Sequence, residues 1–259
     1  ALAIGGGWSY GLAYQVMALL MGVGMLTVMW VPEPDHSSRR AEKSPTEDFA
    51  AWLNTAVVRP FAEFFERFGR QALIILLFIG IYRVSDTVLG VMANPFYLQI
   101  GFSENVIFGY VKTIGAVAVI LGAAWGGIAV ARQGLGRSLV FGAVILALTN
   151  LSFAGLALAG SSVPLLVLTI CADNVAQGFT GTVFIAYLSS LTSANHTATQ
   201  YALFTSIMVL PGKFLAGASG FIVDATNWLT FFFYASLMGV PAIFLAMYIS
   251  RGLRQRAAA

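Results

Sequence analysis

An all-α, polytopic membrane helix bundle is the fold this sequence predicts, and three observations predict it. Of 259 residues, 58% are hydrophobic and only 10% charged, whereas soluble domains carry about a quarter charged residues. The apolar residues gather into seven runs, 8–30, 72–94, 105–130, 138–160, 164–190, 199–221 and 228–250, each near the roughly 20 residues a helix needs to cross a bilayer. Lys and Arg are unevenly placed: eleven of the fourteen lie in 31–71, 131–137 and the tail after 250, and none in 1–7, 95–104, 161–163 or 222–227. This is the positive-inside pattern. It puts the N-terminus outside and the C-terminus in the cytoplasm, and it explains the net charge of +3 without a nucleic-acid partner.

Composition also excludes several chemistries. Cys171 is the one cysteine and lies inside an apolar run, so neither a disulfide framework nor a thiolate metal site is expected. His36 and His196 fall in polar connections, which leaves no metal-ligand cluster, no acid/base set within the membrane and no cofactor to expect. The first thirty residues hold no Lys or Arg and so lack the basic n-region of a signal peptide.

The first run, 8–30, opens with Trp8 and Tyr14, and the last repeats them as Trp228 and Tyr234 at the same spacing. One reading is an interfacial aromatic belt met twice. The other is a repeat, as in transporters built from two parallel six-helix halves. On that second reading residues 1–30 are the last helix of an N-terminal lobe, the lobe's other helices precede this chain, and the natural polypeptide is longer. Residues 31–71 then form a cytoplasmic linker between lobes. Ser44, Pro45 and Glu47 make a capping box, with Phe49, Trp52, Leu53 and Ala56 following at helical spacing. Pro60 is expected to break or kink that helix. Beyond it Phe61, Phe64, Phe65 and Phe68 form a stripe opposite Glu63, Glu66 and Arg67, an amphipathic segment suited to the inner membrane face or a simple tether.

The run 72–94 carries Arg83 and Asp86, three apart and hence on one helical face. A charge at bilayer centre costs roughly 2.5–3.5 kcal/mol on insertion scales, so such residues face protein or a wet cavity and mark a pathway. The run 105–130 carries Lys112 with Gly115, Gly122 and Gly126 along its face, small residues that let helices approach. Gly127, Arg132, Gly134 and Arg137 then make a tight cytoplasmic turn whose guanidinium groups suit helix carbonyl ends. The run 138–160 offers only Thr149 and Asn150 and is expected at the periphery. In 164–190, Asp173, Gln177 and Gly181 recur every four residues, with Asn174 and Gly178 one step round. This stripe is either a cavity wall or interhelical glue. In 199–221, Pro211 and Gly212 are expected to interrupt the helix before Lys213, and such breaks mark binding sites in transporters. Residues 251–259 form a basic cytoplasmic tail.

Several of these stretches resemble the AmpG-like muropeptide permease family of the major facilitator superfamily. They are IYRVSD around Arg83, VKTIG around Lys112, DNVAQGFTGT from Asp173, the Ala198–Ala202 run with Gln200 and Tyr201, and Gly212 with Lys213. The loop 127–137 is similar to the cytoplasmic signature of that superfamily, except that Ala131 stands where an acid is usual. The resemblance covers 8–250 and implies a C-terminal major facilitator-type lobe, 72–250, preceded by one helix. It further implies a multi-pass protein of the bacterial inner membrane that imports anionic cell-wall muropeptides, such as anhydro-muramyl disaccharide-peptides, together with protons.

The residues add content to that expectation. Arg83, Lys112 and Lys213 outnumber Asp86 and Asp173, and a basic cavity suits a carboxylate-bearing substrate. Substrate binding or coupling is therefore expected of Arg83, Asp86, Lys112, Asp173, Asn174, Gln177, Gln200, Tyr201 and Lys213, with Tyr82, Phe179 or Tyr201 as sugar platforms. Asp86 or Asp173 would carry the proton, unless Asp86 is held permanently by Arg83. The alternatives are an acetyl-CoA-type carrier of related architecture and a membrane subunit that assembles without transporting. An enzyme finds no support.

Overall fold

The computed structural model describes residues 10–30, 54, 58–193 and 197–258. Trp8, His36, His196, the expected capping box at Ser44, Pro45 and Glu47, and the positions Phe49, Trp52, Leu53 and Ala56 lie outside the described residues. The chain divides into two compact units, Ala1–Ala56 and Val57–Ala259. The first holds helix α1, Tyr10–Trp30, 21 residues without a charged side chain.

The second unit is all-helical among its described residues. It opens with a short helix α2, Arg59–Phe68. Six helices long and apolar enough to cross a membrane come after it: α3 Gln71–Gln99, α4 Glu104–Gln133, α5 Leu135–Ala159, α6 Val163–Leu191, α7 Thr197–Ala225 and α8 Trp228–Leu253. Each of the six runs expected after residue 71 is one of these spans. Two boundaries move most: α3 continues past Asn94 to Gln99 with Pro95 inside it, and the helix of α8 continues past residue 250 to Ala258, through the expected tail. Proline deletes one hydrogen bond of a helix and need not end it where neighbouring helices hold the segment.

Because lipid is as apolar as leucine, close packing and interhelical hydrogen bonds must hold such helices together. The glycines of α4 do this against α6. A Cβ on Gly122 would lie 2.1 Å from the Val175 carbonyl oxygen, one on Gly178 would lie 2.1 Å from that of Val119, and one on Gly126 would lie 2.7 Å from that of Phe179. Two apolar clusters close the ends of the bundle. One contains Phe78, Tyr82, Phe179, Phe184, Tyr187 and Phe204. The other contains Phe96, Tyr97, Phe153, Phe231 and Phe232.

Between the clusters runs a polar layer, where α3 is interrupted at Tyr82 and Arg83. The Asn150 amide donates to Ser85 Oγ at 2.5 Å, and Ser85 Oγ donates to the Ala235 carbonyl at 2.6 Å. Ser236 Oγ donates to the Ala147 carbonyl at 2.9 Å. Helix α5 is thus interior and not peripheral: Asn150 is 0% exposed, and Leu139, Leu146, Phe153 and Leu156 are buried with it. Its small residues admit it, since Gly142 lies under the Tyr82 hydroxyl and Gly136 against Ser250.

One proline expectation changes and one stays open. Pro60 sits in the first turn of α2, where a missing N–H costs nothing, and Val58 before it is still helical, while residues 55–57, where a kink would show, lie outside the described residues. Pro211 and Gly212 do not interrupt α7, which stays helical through Gly217 and breaks only at Ala218. Their use is contact with α3, because Pro211 packs on Gly80 and a Cβ at Gly212 would press on Thr87 at 2.9 Å.

Helix α2 lays its aromatic stripe on protein. Phe64 and Phe68 are buried, with the Phe64 ring 5.0 Å from that of Phe204. Gln200 Nε2 donates to the Pro60 carbonyl at 3.0 Å, and its Oε1 accepts from the Ser193 N–H at 2.8 Å. Arg67 Nη1 donates to the carbonyls of Leu191 and Thr192 at 3.2 and 3.4 Å, capping the end of α6. In the α4–α5 turn the cap is backbone. Gly134 adopts φ +82° and donates its N–H to the Val130 carbonyl. Arg132 and Arg137 are exposed beside it, without a hydrogen bond to helix carbonyls among the described residues, so the capping expected of them is made by Gly134 and, elsewhere, by Arg67.

Candidate functional site

A cavity of about 370 Å³ opens among α3, α4, α5 and α6. Its wall on α6 is the stripe of Asp173, Asn174 and Gln177. Lys112 and Gly115 come from α4, Asn94 and Tyr97 from α3, and Phe153 from α5. Four of the nine residues expected in binding or coupling therefore share one wall. They meet because Lys112 lies in a π-helical stretch of α4, Ile107–Ile114, whose wider turn re-registers the face beyond it. Such stretches occur often at functional sites.

Asp173 is the most constrained of these groups. It is 4% exposed, and Oδ2 accepts from Gln177 Nε2 at 2.7 Å. Its Oδ1 is buried with no hydrogen-bond partner among the described residues. A buried oxygen in this condition is rare and calls for a reason. Asn174 donates to the Ile170 carbonyl at 2.8 Å and its amide packs over Gly115. Both of these hydrogen bonds stay within α6, so neither Asn174 nor Asp173 joins two helices by a hydrogen bond among the described residues, and Asn174 meets α4 only by packing.

Arg83 and Asp86 lie on α3 outside the cavity lining. Arg83 Nη2 donates to Asp86 Oδ2 at 2.5 Å, the arginine side chain being 26% exposed and the aspartate 8%. The other arginine nitrogen, Nη1, would be 3.7 Å from a Cβ at Gly181, so the arginine leans on the α6 stripe one turn past Gln177. Asp173 is within electrostatic reach of both Asp86 and Arg83. The break of α3 puts Arg83 at the start of the second helical segment, where Thr87 Oγ1 donates back to its carbonyl at 2.9 Å.

The remaining expected residues stand apart. Gln200 is 2% exposed and spends both ends of its amide on Ser193 and Pro60, so it holds the α2 contact. Tyr201 is half-buried and packs against the core that contains Phe204. Lys213 is exposed beside Gly212, level with Thr87, and does not line the cavity. Gly127, Arg132, Gly134 and Arg137 belong to the distant α4–α5 turn. Two of the supposed sugar platforms are core: Phe179 is fully buried, and Tyr82 is buried with its hydroxyl on the Leu139 carbonyl at 3.0 Å. The aromatics that border the cavity are Tyr97 and Phe153, but their rings stack on each other at 6.4 Å and are 2% and 1% exposed, so they too are core. Tyr97 lies beyond the expected end of its run, and the aromatic two residues after Pro95 was the signal for a continuing helix.

The described lining offers a cation, a buried carboxylate oxygen and three amide side chains within one cavity. That set can hold an organic anion by charge and hydrogen bonds. Among known proteins, "Putative transporter AmpG 4" of Rickettsia conorii is 29% identical over 244 residues, 94% of this chain and 58% of the relative. The protein of the same name from Rickettsia felis is 28% identical over 95% of this chain and 58% of its own length. "Putative transporter AmpG 1" of Rickettsia bellii is 31% identical over 71% of this chain and 45% of its own. The chain therefore spans a little over half the length of the curated relatives it matches. The sequence profile of the Major Facilitator Superfamily matches residues 1–216. With six apolar spans beside that match, the chain is a multi-pass membrane protein and belongs to the Major Facilitator Superfamily.

Proposed function

We propose that this chain is the greater part of a secondary active transporter that imports anionic muropeptides, such as anhydro-muramyl disaccharide-peptides, across the bacterial inner membrane with protons. The names of the relatives support transport, and the muropeptide and the proton are this proposal's own. The carrying observation is Asp173, nearly fully buried with one oxygen unpartnered among the described residues, on a cavity that Lys112 also lines. Lys112 attracts a substrate carboxylate, and Asn94 and Gln177 offer amides to its hydroxyl and peptide groups. Arg83 already holds Asp86, which leaves Asp173 as the acid free to exchange a proton. One net charge moved through 100 mV is worth about 2.3 kcal/mol, so each proton carried beyond those that neutralise the substrate's carboxylates can drive roughly fiftyfold accumulation at RT of about 0.6 kcal/mol.

In this proposal α3–α8 are the C-terminal lobe, Tyr10–Trp30 is the last helix of an N-terminal lobe, and the intervening stretch is a cytoplasmic linker. A facing lobe closes the cavity and the two rock about it. Uptake of labelled muropeptide into membrane vesicles, made with the full-length protein, tests the reading. Lys112→Gln should raise the apparent KM at least tenfold with protein level unchanged. Uptake indifferent to this substitution, or no uptake by any variant, would leave a non-transporting membrane subunit as the better account.

A further inference from the structure

We propose a second site, for one anionic phospholipid, at the membrane surface end of the bundle where α3 begins and α6 and α8 end. A cavity of about 260 Å³ lies there, walled by Ile74 and Ile75 of α3, Leu191 of α6, and Tyr248, Arg251 and Leu253 of α8. It is separate from the Lys112 and Asp173 cavity, sharing no residue with it. Its position is at headgroup depth whichever way the protein faces, because Gln71 and Leu191 are the terminal residues of their spans.

The chemistry of the wall selects the ligand. The interior is aliphatic and aromatic, and the cation at its mouth, Arg251, is exposed with no ion pair or hydrogen bond among the described residues. A guanidinium can hold a phosphate through two parallel hydrogen bonds. Basic pockets between transmembrane helices near the membrane surface take acidic lipid headgroups. From the cavity an apolar track runs toward mid-membrane: Leu77 stands one turn beyond Ile74, Phe244 one turn before Tyr248, and both are exposed on the same helix rows. A free phosphate would use only the mouth of this site. A lipid uses all of it, with phosphate on Arg251 and an acyl chain along the track.

The test uses the full chain, purified and delipidated, then titrated with dioleoyl phosphatidylglycerol, dioleoyl phosphatidylcholine or glycerol phosphate. Bound lipid is counted by native mass spectrometry and thermal stability is followed by tryptophan fluorescence. Phosphatidylglycerol should bind with one retained molecule and stabilise the protein, phosphatidylcholine should bind about fivefold or more weakly, and glycerol phosphate should do neither. Arg251→Gln should cut the preference for phosphatidylglycerol about fivefold, the contribution of one basic residue near an anionic headgroup. Ile74→Trp, which fills the cavity, should abolish the retained lipid. Should Ile74→Trp fail to fold, Arg251→Gln decides alone. Equal retention of the two lipids, an unchanged preference in Arg251→Gln, or stabilisation by glycerol phosphate equal to that by phosphatidylglycerol would each overturn the site.

Discussion

Arg83 and Asp86 hold each other at 2.5 Å inside the bundle, and the question at the residue scale is whether that pair works or only packs. Removing one member strands a buried charge, which costs about 3–5 kcal/mol, whereas replacing both by apolar residues is often neutral or better. Arg83→Met with Asp86→Leu is therefore expected to give as much monodisperse protein on size exclusion as the parent, while either single change gives much less. If the double variant still accumulates muropeptide, the pair is structural. Asp173 differs from Asp86 because its partner, Gln177, is an amide and its second oxygen has none among the described residues. Spacing on a helix was enough to group Asp173, Asn174 and Gln177 and to expect Lys112 near them. It could not show that Asp173 Oδ1 is buried without a partner among the described residues, because that depends on what other helices bring near it. Nor could spacing place Phe179, whose ring is buried against Trp125 of α4 and Phe141 and Gly142 of α5.

At the scale of elements, α4 and α6 touch backbone to backbone at Gly122 and Gly178, while Gly127 has nothing within 4 Å of a built Cβ. Overpacking of this kind costs about 1–3 kcal/mol. Gly122→Ala is thus expected to lower the thermal midpoint in detergent by several degrees, and Gly127→Ala to leave it unchanged. Equal effects at both positions would mean that the close approach is not there. The α2 contact makes a second expectation. Gln200→Leu leaves the Pro60 carbonyl and the Ser193 N–H without their partner, a loss of about 1–3 kcal/mol, and should expose Arg59 and Arg67 to trypsin. Unchanged digestion would contradict the docking of α2. Pro211 misled, because it stays within a helix instead of breaking it. Sequence alone marks where proline removes a hydrogen bond, whereas the packing of Gly80, Thr87 and Gly212 determines whether α7 breaks there.

For the whole molecule, hydropathy and length were sufficient to locate every span after residue 71, and glycine with uncharged composition was not sufficient to rank them by depth, so α5 was misplaced. Orientation rests on the distribution of Lys and Arg. With Cys171→Ser as background, Glu104→Cys should react with an impermeant maleimide from outside, and Gln133→Cys only after permeabilisation. The reverse pattern would invert the whole bundle.

In the proposed mechanism the Asp173 cavity couples proton movement to substrate movement, and Asp173→Asn in full-length protein tests this most directly. The substitution keeps the size of the side chain and a hydrogen bond to Gln177, and removes only the proton-exchanging group. Two rates are to be measured in the same proteoliposomes: accumulation of muropeptide under an imposed proton gradient, and exchange of internal for external muropeptide without one. The expected result is exchange within about twofold of the parent and no accumulation. Accumulation at the parent level by Asp173→Asn would contradict the coupling role.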